Sequence, residues 1–263
     1  MGIINCTPDS FYEDSRCITP EAAVETGMRM LAEGADILDI GGESTRPGAE
    51  PVPEEDEKRR VLPVVERLRA ATCAPLSIDT SKAGVASAAL AAGADIVNDV
   101  SGLADPRMRE IILKNDAAVV IMHMQGEPRT MQLAPRYHEV VAEVSVFLQQ
   151  RAKEAIAAGI TGDRIILDPG FGFGKTFNHN AALLMRGLPA LARLGYPILA
   201  GLSRKSMIQH ALGLPPAKRL EASLALAVLA AERGASILRT HDVAATANAV
   251  RMWEAVQAAG EKA

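Results

Sequence analysis

The sequence predicts an α/β protein folded as a (β/α)8 barrel, the TIM-barrel architecture. Eight short apolar runs alternate with longer alanine-rich segments of helical periodicity. The alternation fills 263 residues, close to the roughly 250 residues that are typical of such a barrel. No linker or low-complexity segment interrupts it, so residues 1–263 are expected to form one domain. An open doubly wound sheet is the alternative, because it produces the same alternation.

The predicted strands are short runs rich in Ile, Leu and Val, as strands buried on both faces require. In chain order they are Gly2–Asn5, Ile37–Ile40, Leu76–Asp79, Ile96–Asp99, Ala118–His123, Ile165–Asp168, Ile198–Ala200 and Ile237–Arg239. The segments between them carry apolar residues three or four positions apart, as amphipathic helices do. These helices are predicted at 20–33, 54–71, 82–92, 106–115, 137–158, 180–194, 204–212, 219–233 and 242–259.

Glycine follows several of the predicted helices directly before the next strand. The positions are Gly34, Gly93, Gly159 and Gly234, where a left-handed residue closes the helix at no steric cost. The charge run at 54–60 is expected to form a solvated first helical turn.

The composition excludes several classes of function. The net charge is −4 and aromatic residues make up only 3% of the chain, which argues against a nucleic-acid surface. No apolar run is long enough to span a membrane, and no export signal is recognisable at the N-terminus. Cys6, Cys17 and Cys73 are odd in number and widely spaced, which indicates a reducing compartment. We therefore expect a cytoplasmic protein with no nucleic-acid or membrane partner.

Polar side chains follow the C-terminal ends of seven of the eight predicted strands. They are Asn5, Asp79, Asn98-Asp99, His123, Asp168, Ser203-Arg204-Lys205 and Arg239-Thr240-His241, and the remaining strand leads into Gly41–Arg46. At a single position, a polar residue can simply mark where a strand leaves the core. In a barrel, however, all these ends converge on the face where active sites form. Their recurrence at one end therefore predicts a ligand site.

The types of residue at this face indicate which ligand it binds. Asp79, Asn98 and Asp168 offer fixed acceptors and an amide, which suit the N–H groups and carbonyl of an amino-pyrimidinone ring. Lys205 can donate to a carbonyl or ring nitrogen, and Arg239 can stack its guanidinium on the ring face. A flat heterocycle of this kind is therefore the predicted ligand.

An anion is expected beside the heterocycle. Thr45, Arg46 and His241 add donors suited to a phosphate, although Arg46 or His241 taken alone could equally be a surface residue. After Asp168 comes a loop with glycine at every second position that ends in Lys175, and a carboxylate followed by a flexible basic loop describes half of a ligand site. The loop is not a nucleotide phosphate loop, because Pro169 stands where that motif needs its first glycine.

Two other chemistries are possible at this face. Lys205 could form a Schiff base, as in aldolase barrels, but its place just before a helix start suits anion and carbonyl binding better. His123 lies among methionines, which favours an apolar pocket over a metal site.

At these motifs the chain resembles the dihydropteroate synthases, which belong to the folate pathway. The resemblance extends along nearly the whole chain, in family order. It rests on MGIINCTPDSF (1–11), DIGGESTRPGA (39–49), SIDTSK (77–82), NDVSGL (98–103), MHMQGEPRTMQ (122–132), DPGFGFGK (168–175), GLSRKSMI (201–208) and LRTHDV (238–243).

The resemblance implies a transferase that condenses 6-hydroxymethyl-7,8-dihydropterin diphosphate with 4-aminobenzoate, giving 7,8-dihydropteroate and diphosphate. It further implies Mg²⁺ as cofactor, a homodimer, and sulfonamides as competitors of the aminobenzoate. The implied pterin pocket is Asp79, Asn98, Asp168, Lys205 and Arg239. Diphosphate is assigned to Asn5, Thr45, Arg46, Arg239 and His241, with Asn5 as metal ligand. Aminobenzoate is assigned to Phe173, Pro47 and Ser206. Two closing loops would contribute Asp9, Phe11, Glu13, Ser44, Thr45 and Arg46.

One departure from the family pattern lies in the first loop. The family usually continues S-F-S-D-G-G, whereas this chain reads S-F-Y-E-D-S at 10–15. Losing both glycines should stiffen the loop, and Glu13 is expected to take over its acidic function. Two other functions are possible: a pterin-binding methyltransferase domain, which would not need the GESTRPG, SRKS and RTHD motifs, and a non-catalytic pterin-binding protein.

Overall fold

The computed structural model describes residues 1–7, 19–44 and 48–260. Within them, eight parallel strands form the barrel wall: β1 Gly2–Asn5, β2 Leu38–Gly41, β3 Leu76–Asp79, β4 Ile96–Asp99, β5 Ala118–Met122, β6 Ile165–Asp168, β7 Leu199–Ala200 and β8 Ile237–Leu238. The (β/α)8 barrel predicted from the alternation is confirmed, and each strand bound lies within one residue of its prediction.

The strands pair in chain order and close into a ring. β1 to β6 form one continuous ladder, and β7 pairs with β8. A bridge between Leu167 and Ile198 joins β6 to the β7 side, and a bridge between Gly2 and Thr240 joins β1 to the β8 side. A closed ring leaves no strand edge exposed, which excludes the open doubly wound sheet.

The helices that cover the ring are α1 Pro20–Ala32, α2 Glu54–Ala71, α3 Ala83–Ala91, α4 Pro106–Lys114, α5 Val140–Ala157, α6 Phe177–Ala182, α7 Leu188–Ala192, α8 Ser206–Leu212, α9 Leu220–Glu232 and α10 Val243–Gly260. A π-helical turn at Leu183–Gly187 joins α6 to α7. α6 begins earlier than the sequence predicts, because Thr176 and His179 form a capping box at its N-terminus. In the described parts of the chain, no helix is both long and apolar enough to cross a membrane.

Side chains alternate between the two faces of each strand, and they form two separate hydrophobic cores. Outward residues such as Ile40, Ile78 and Val119 pack with the helices in the larger hydrophobic cluster. Inward residues such as Val120 and Leu199 form a small cluster that fills the bottom of the barrel. Above that layer the inward positions become polar, so the apolar fill stops below the C-terminal rim.

Candidate active site

Strand register places the predicted pocket residues side by side at the rim. Asp79 on β3 is directly opposite Asn98 on β4, and Asp168 on β6 is opposite Met122 on β5. Arg239 follows β8 and donates to both Asp39 and Asp79 across the barrel. Residues far apart in sequence therefore meet in one cup, as the strand-end pattern predicts.

Two neighbouring cavities open on this cup. The smaller, about 20 Å³, lies among Asp79, Asn98, Val100, Met122, Asp168, Phe171, Phe173, Gly201, Lys205 and Arg239. The larger, about 270 Å³, shares five lining residues with it: Asp79, Phe173, Gly201, Lys205 and Arg239. The larger one extends to Asn5, Ser44, Ser203, Ser206, Gln209, Arg219 and His241. The residues predicted to bind the heterocycle and those predicted to bind the anion thus line two adjoining cavities.

Arg239 is held by two carboxylates, of which Asp39 is fully buried and Asp79 is partly exposed. Its Nε donates to Asp39 Oδ2 at 2.6 Å and its Nη2 donates to Asp79 Oδ2 at 2.7 Å. Burial acts to lower the pKa of Arg239, but the two carboxylates outweigh it and raise the pKa. Burial raises the pKa of Asp79 to about 7, with Arg239 opposing the rise and Asp39 adding to it. Asp39 was not identified from the sequence, because it lies inside an apolar strand.

Lys205 covers the smaller cavity from the side of Phe173. Its Nζ lies 4.3 Å from the centroid of the Phe173 ring, a cation–π contact. Burial, followed by the charge of Arg239, lowers the pKa of Lys205 to about 8. Burial likewise raises the pKa of Asp168. The rim therefore contains acids and bases whose pKa values have moved towards neutrality, which is typical of functional sites.

The loop after β6 is held rigidly, and its lysine does not face the cavity. Lys175 is only 3% exposed. Its Nζ contacts His123 Nδ1 at 3.0 Å and donates to the carbonyls of His123, Gly170 and Phe173 at 3.2, 3.0 and 2.9 Å. The prediction that Lys175 contributes a basic group to the ligand site is wrong, because this amine is used inside the loop. Burial lowers the pKa of Lys175 to about 7.

Two further carbonyls of this loop also accept side-chain donors. Gln132 Nε2 donates to Gly172, and Tyr137 Oη donates to the carbonyl of Gly174 at 3.0 Å. A Cβ on Gly170 would lie 1.9 Å from the His123 carbonyl oxygen, and its φ is +68°. Only glycine fits there. The loop thus presents Phe173 to the cavity from a fixed backbone.

Arg204 connects the loops that follow β7 and β8. Its guanidinium donates to both oxygens of Asp242, at 2.8 and 2.7 Å. Its backbone lies in the left-handed region at φ +52°, an uncommon conformation for a residue other than glycine. Arg219 holds that conformation by donating to the Arg204 carbonyl at 2.9 Å. Arg204 therefore fixes the backbone directly before Lys205.

His241 lies in the same cavity beside Ser203. Ser203 Oγ and His241 Nδ1 are 3.0 Å apart, and the His241 backbone N–H points to the same hydroxyl at 3.3 Å. The imidazole is thus oriented within the larger cavity, where the sequence predicts an anion.

Lys82 joins two glutamates at the base of the loop after β2. Its Nζ donates to Glu43 and to Glu57, and Glu57 is fully buried. Glu43 Oε1 also accepts the Val52 backbone N–H at 3.0 Å, which closes the base of the loop. The expectation that the 54–60 run is solvated is therefore wrong at Glu57. This carboxylate turns inward to reach a lysine on the neighbouring loop.

The structure describes only part of the predicted site. Asn5, Ser44, Asp79, Asn98, Asp168, Phe173, Lys205, Ser206, Arg239 and His241 all line the two cavities. Asp9, Phe11, Glu13, Thr45, Arg46 and Pro47 lie outside the described residues, so the roles assigned to them stay predictions. In the described parts of the chain, no three His, Cys, Asp or Glu side chains form a cluster that could hold a metal ion.

A barrel with this rim corresponds to a known class of proteins. The family model for pterin binding enzymes matches residues 1–241. That match includes every candidate site residue.

Comparison with individual proteins identifies one family among the pterin binding enzymes. The dihydropteroate synthase of Haemophilus influenzae is 48% identical over 255 residues, covering 97% of this chain and 92% of the relative. The crystal structure of the Yersinia pestis dihydropteroate synthase with a sulfonamide drug has a TM-score of 0.94 at 44% identity, covering 98% of this chain and 93% of that one. The Xanthomonas albilineans dihydropteroate synthase in complex with 7,8-dihydropteroate has a TM-score of 0.87 at 49% identity, covering 98% and 92%. This chain belongs to the dihydropteroate synthase family.

Proposed function

We propose that this protein condenses 6-hydroxymethyl-7,8-dihydropterin diphosphate with 4-aminobenzoate, releasing diphosphate and 7,8-dihydropteroate in folate biosynthesis. It is a transferase. The observation that carries the proposal is the identity of about half its residues with a synthase solved with 7,8-dihydropteroate. The acidic cup is the second support, because its acceptors suit the N–H groups of a pterin.

The pterin is assigned to the smaller cavity. Asp79, Asn98 and Asp168 accept from the ring, Lys205 donates to it, and Arg239 stacks on its face. At about 20 Å³ the cavity is too small for a bicyclic ring. The contact between Lys205 and Phe173 is the element that can open, because both side chains line the cavity and neither belongs to the barrel wall.

Diphosphate is assigned to the larger cavity, beside Asn5, Arg239 and His241, and the family pattern assigns Thr45 and Arg46 to it as well. We assign Mg²⁺ to the amide oxygen of Asn5 there, because magnesium takes oxygen ligands and completes its shell with waters and substrate phosphates. When bound, it neutralises charge on the departing diphosphate.

Loss of diphosphate leaves positive charge on the pterin methylene group. The carboxylates of Asp79 and Asp168 lie at the rim where that charge develops, so their field stabilises it. The neutral aniline nitrogen of 4-aminobenzoate then attacks the methylene carbon, forming the new C–N bond and releasing a proton. We place the aminobenzoate ring against Phe173 and Pro47, with its carboxylate at Ser206. Sulfonamides would compete for that position.

One assay tests the function. Diphosphate release should require both the pterin diphosphate and 4-aminobenzoate. Release with the pterin substrate alone would indicate hydrolysis without transfer. Pterin binding without release would indicate a non-catalytic pterin protein, and methyl transfer from a methylated cofactor would indicate the methyltransferase alternative. Each of those results contradicts the proposal.

The pH dependence of kcat/KM for the pterin substrate should be bell-shaped, with its maximum between about 7 and 8. Asp79, with a pKa of about 7, must be ionised to accept from the ring, so activity falls as pH drops through that value. Lys205, with a pKa of about 8, loses its charge above that pH and becomes a weaker donor, so activity falls again. Steady-state kinetics across this range measures both limbs.

The Asp79→Asn variant is the control for the pH profile. Its acid limb should move to lower pH, while any limb caused by titration of the diphosphate itself stays in both proteins. An acid limb that does not move contradicts the assignment to Asp79.

The remaining features are proposals that follow from the family. Residues 1–263 are taken as one domain, acting in the cytoplasm. A homodimer through the last helices is consistent with Met252 and Val256, which are 63% and 56% exposed on α10. Analytical ultracentrifugation of the wild type and of Met252→Lys tests the dimer, which the lysine should weaken by burying a charge.

A further inference from the structure

Asp39 lies beneath the rim and contacts two of the groups assigned to the pterin. It is on β2, points into the barrel and is fully buried. A single oxygen, Oδ2, accepts from Arg239 Nε at 2.6 Å and from Asn98 Nδ2 at 3.1 Å. Through this one atom, β2 is joined to β4 and to the end of β8.

We propose that Asp39 is a positioning residue for the pterin site, setting the plane of the Arg239 guanidinium and the direction of the Asn98 amide. This inference deepens the proposed function and rests on the pterin being bound at this rim. Asp39 does not line either cavity among the described residues, so it acts through its two neighbours.

The effect on Arg239 follows from the rigid geometry of a guanidinium. If only one carboxylate were present, the planar guanidinium could rotate about that single hydrogen bond. Asp39 at Nε and Asp79 at Nη2 together define its plane. An arginine that stacks on a ring needs a fixed plane, and Asp39 supplies the bond from below.

The effect on Asn98 follows from the chemistry of a carboxylate. An ionised carboxylate only accepts hydrogen bonds, so the Asn98 amide must turn its NH₂ towards Asp39. Its Oδ1 then faces the other way and is left as an acceptor for ring N–H groups. If Asp39 were an amide, that constraint would be lost, and Asn98 could present NH₂ to a ring edge that itself carries donors.

The other oxygen of Asp39 shows that the residue is costly to keep. Oδ1 is buried and has no hydrogen-bond partner among the described residues, and the same holds for Ser77 Oγ on β3. Asp39 and Ser77 are register partners at the same level of the barrel. A buried carboxylate with one unpaired oxygen destabilises a fold. A purely structural role for Asp39 would therefore lower stability without a compensating gain.

The variant Asp39→Asn tests the inference, with Ser77→Ala as matched control. Both changes lie at the same level on adjacent strands, and both alter a buried polar group. The dissociation constant of the pterin diphosphate, measured by calorimetry, should rise at least about tenfold in Asp39→Asn and less than about twofold in Ser77→Ala. The KM for 4-aminobenzoate should change less than about twofold in either variant. Pterin affinity within twofold of wild type in a folded Asp39→Asn protein overturns the inference.

A second measurement needs only the wild-type protein. In ¹⁵N-labelled protein without substrate, the Nε–H proton of Arg239 should exchange slowly with water, because it is bound to the fully buried carboxylate of Asp39. Fast exchange of that proton overturns the inference even if Asp39→Asn does not fold. The proposed function fails independently of this result, if the wild type binds the pterin but shows no aminobenzoate-dependent release of diphosphate.

Discussion

Asp168→Asn should lower the affinity for the pterin substrate by about 30- to 1,000-fold, the equivalent of about 2–4 kcal/mol. Asp168 is 6% exposed at the end of β6, and its Oδ1 accepts the Gly170 N–H at 2.7 Å. An asparagine can keep that bond only by turning its oxygen towards Gly170. Its NH₂ would then face the pterin. The ring N–H groups would meet a hydrogen-bond donor instead of the carboxylate oxygen that accepted from them. Calorimetry with the pterin diphosphate measures the loss.

Asp99→Asn provides a matched control for this change. Asp99 ends β4 as Asp168 ends β6, is fully buried, and accepts backbone N–H groups from Ser101 and Leu103 at 2.8 and 3.0 Å. It lines neither cavity among the described residues. Asp99→Asn should therefore cost stability but leave pterin affinity within about threefold of wild type. Equal losses of affinity in the two variants would mean that Asp168 acts through the fold alone.

Much of the site could be predicted because parallel strands place their C-terminal ends together. Once eight strands are recognised, Asp79, Asn98 and Asp168 must lie at one rim, whatever their separation in sequence. Only the strand ends have to be correct, and the predicted ends lie within one residue of those in the structure. The local alternation of apolar and polar residues therefore carries information about a long-range arrangement.

The residues that support the rim could not be predicted in this way. Asp39 lies inside an apolar strand, so only the closed ring shows that it faces Arg239 across the barrel. Glu57 resembles any acidic residue of a first helical turn, and its burial depends on Lys82 arriving from another loop. The sequence places Lys175 in a loop as a free cation, whereas the structure turns it inward. In each case the partner is distant in sequence, and periodicity does not identify it.

Lys175→Met should destabilise the protein and weaken 4-aminobenzoate binding at the same time. The variant keeps the length of the side chain but removes the donor to the carbonyls of His123, Gly170 and Phe173. Buried acceptors left without donors cost about 1–3 kcal/mol each. Part of that loss is offset because a desolvated cation is removed as well. We expect the free energy of unfolding to fall by about 2–4 kcal/mol, as measured by urea denaturation.

The KM for 4-aminobenzoate distinguishes an effect of Lys175→Met on the aminobenzoate site from its effect on stability. Phe173 carries one of the carbonyls that Lys175 holds, and its ring contacts Lys205. When the loop loosens, Phe173 should lose its fixed place, so the KM for 4-aminobenzoate should rise at least about tenfold. Tyr137→Phe removes a single bond to the same loop, at Gly174, and should raise that KM less than about threefold. If Lys175→Met loses stability but keeps the wild-type KM, then the hydrogen bonds of Lys175 support the fold without shaping the aminobenzoate site.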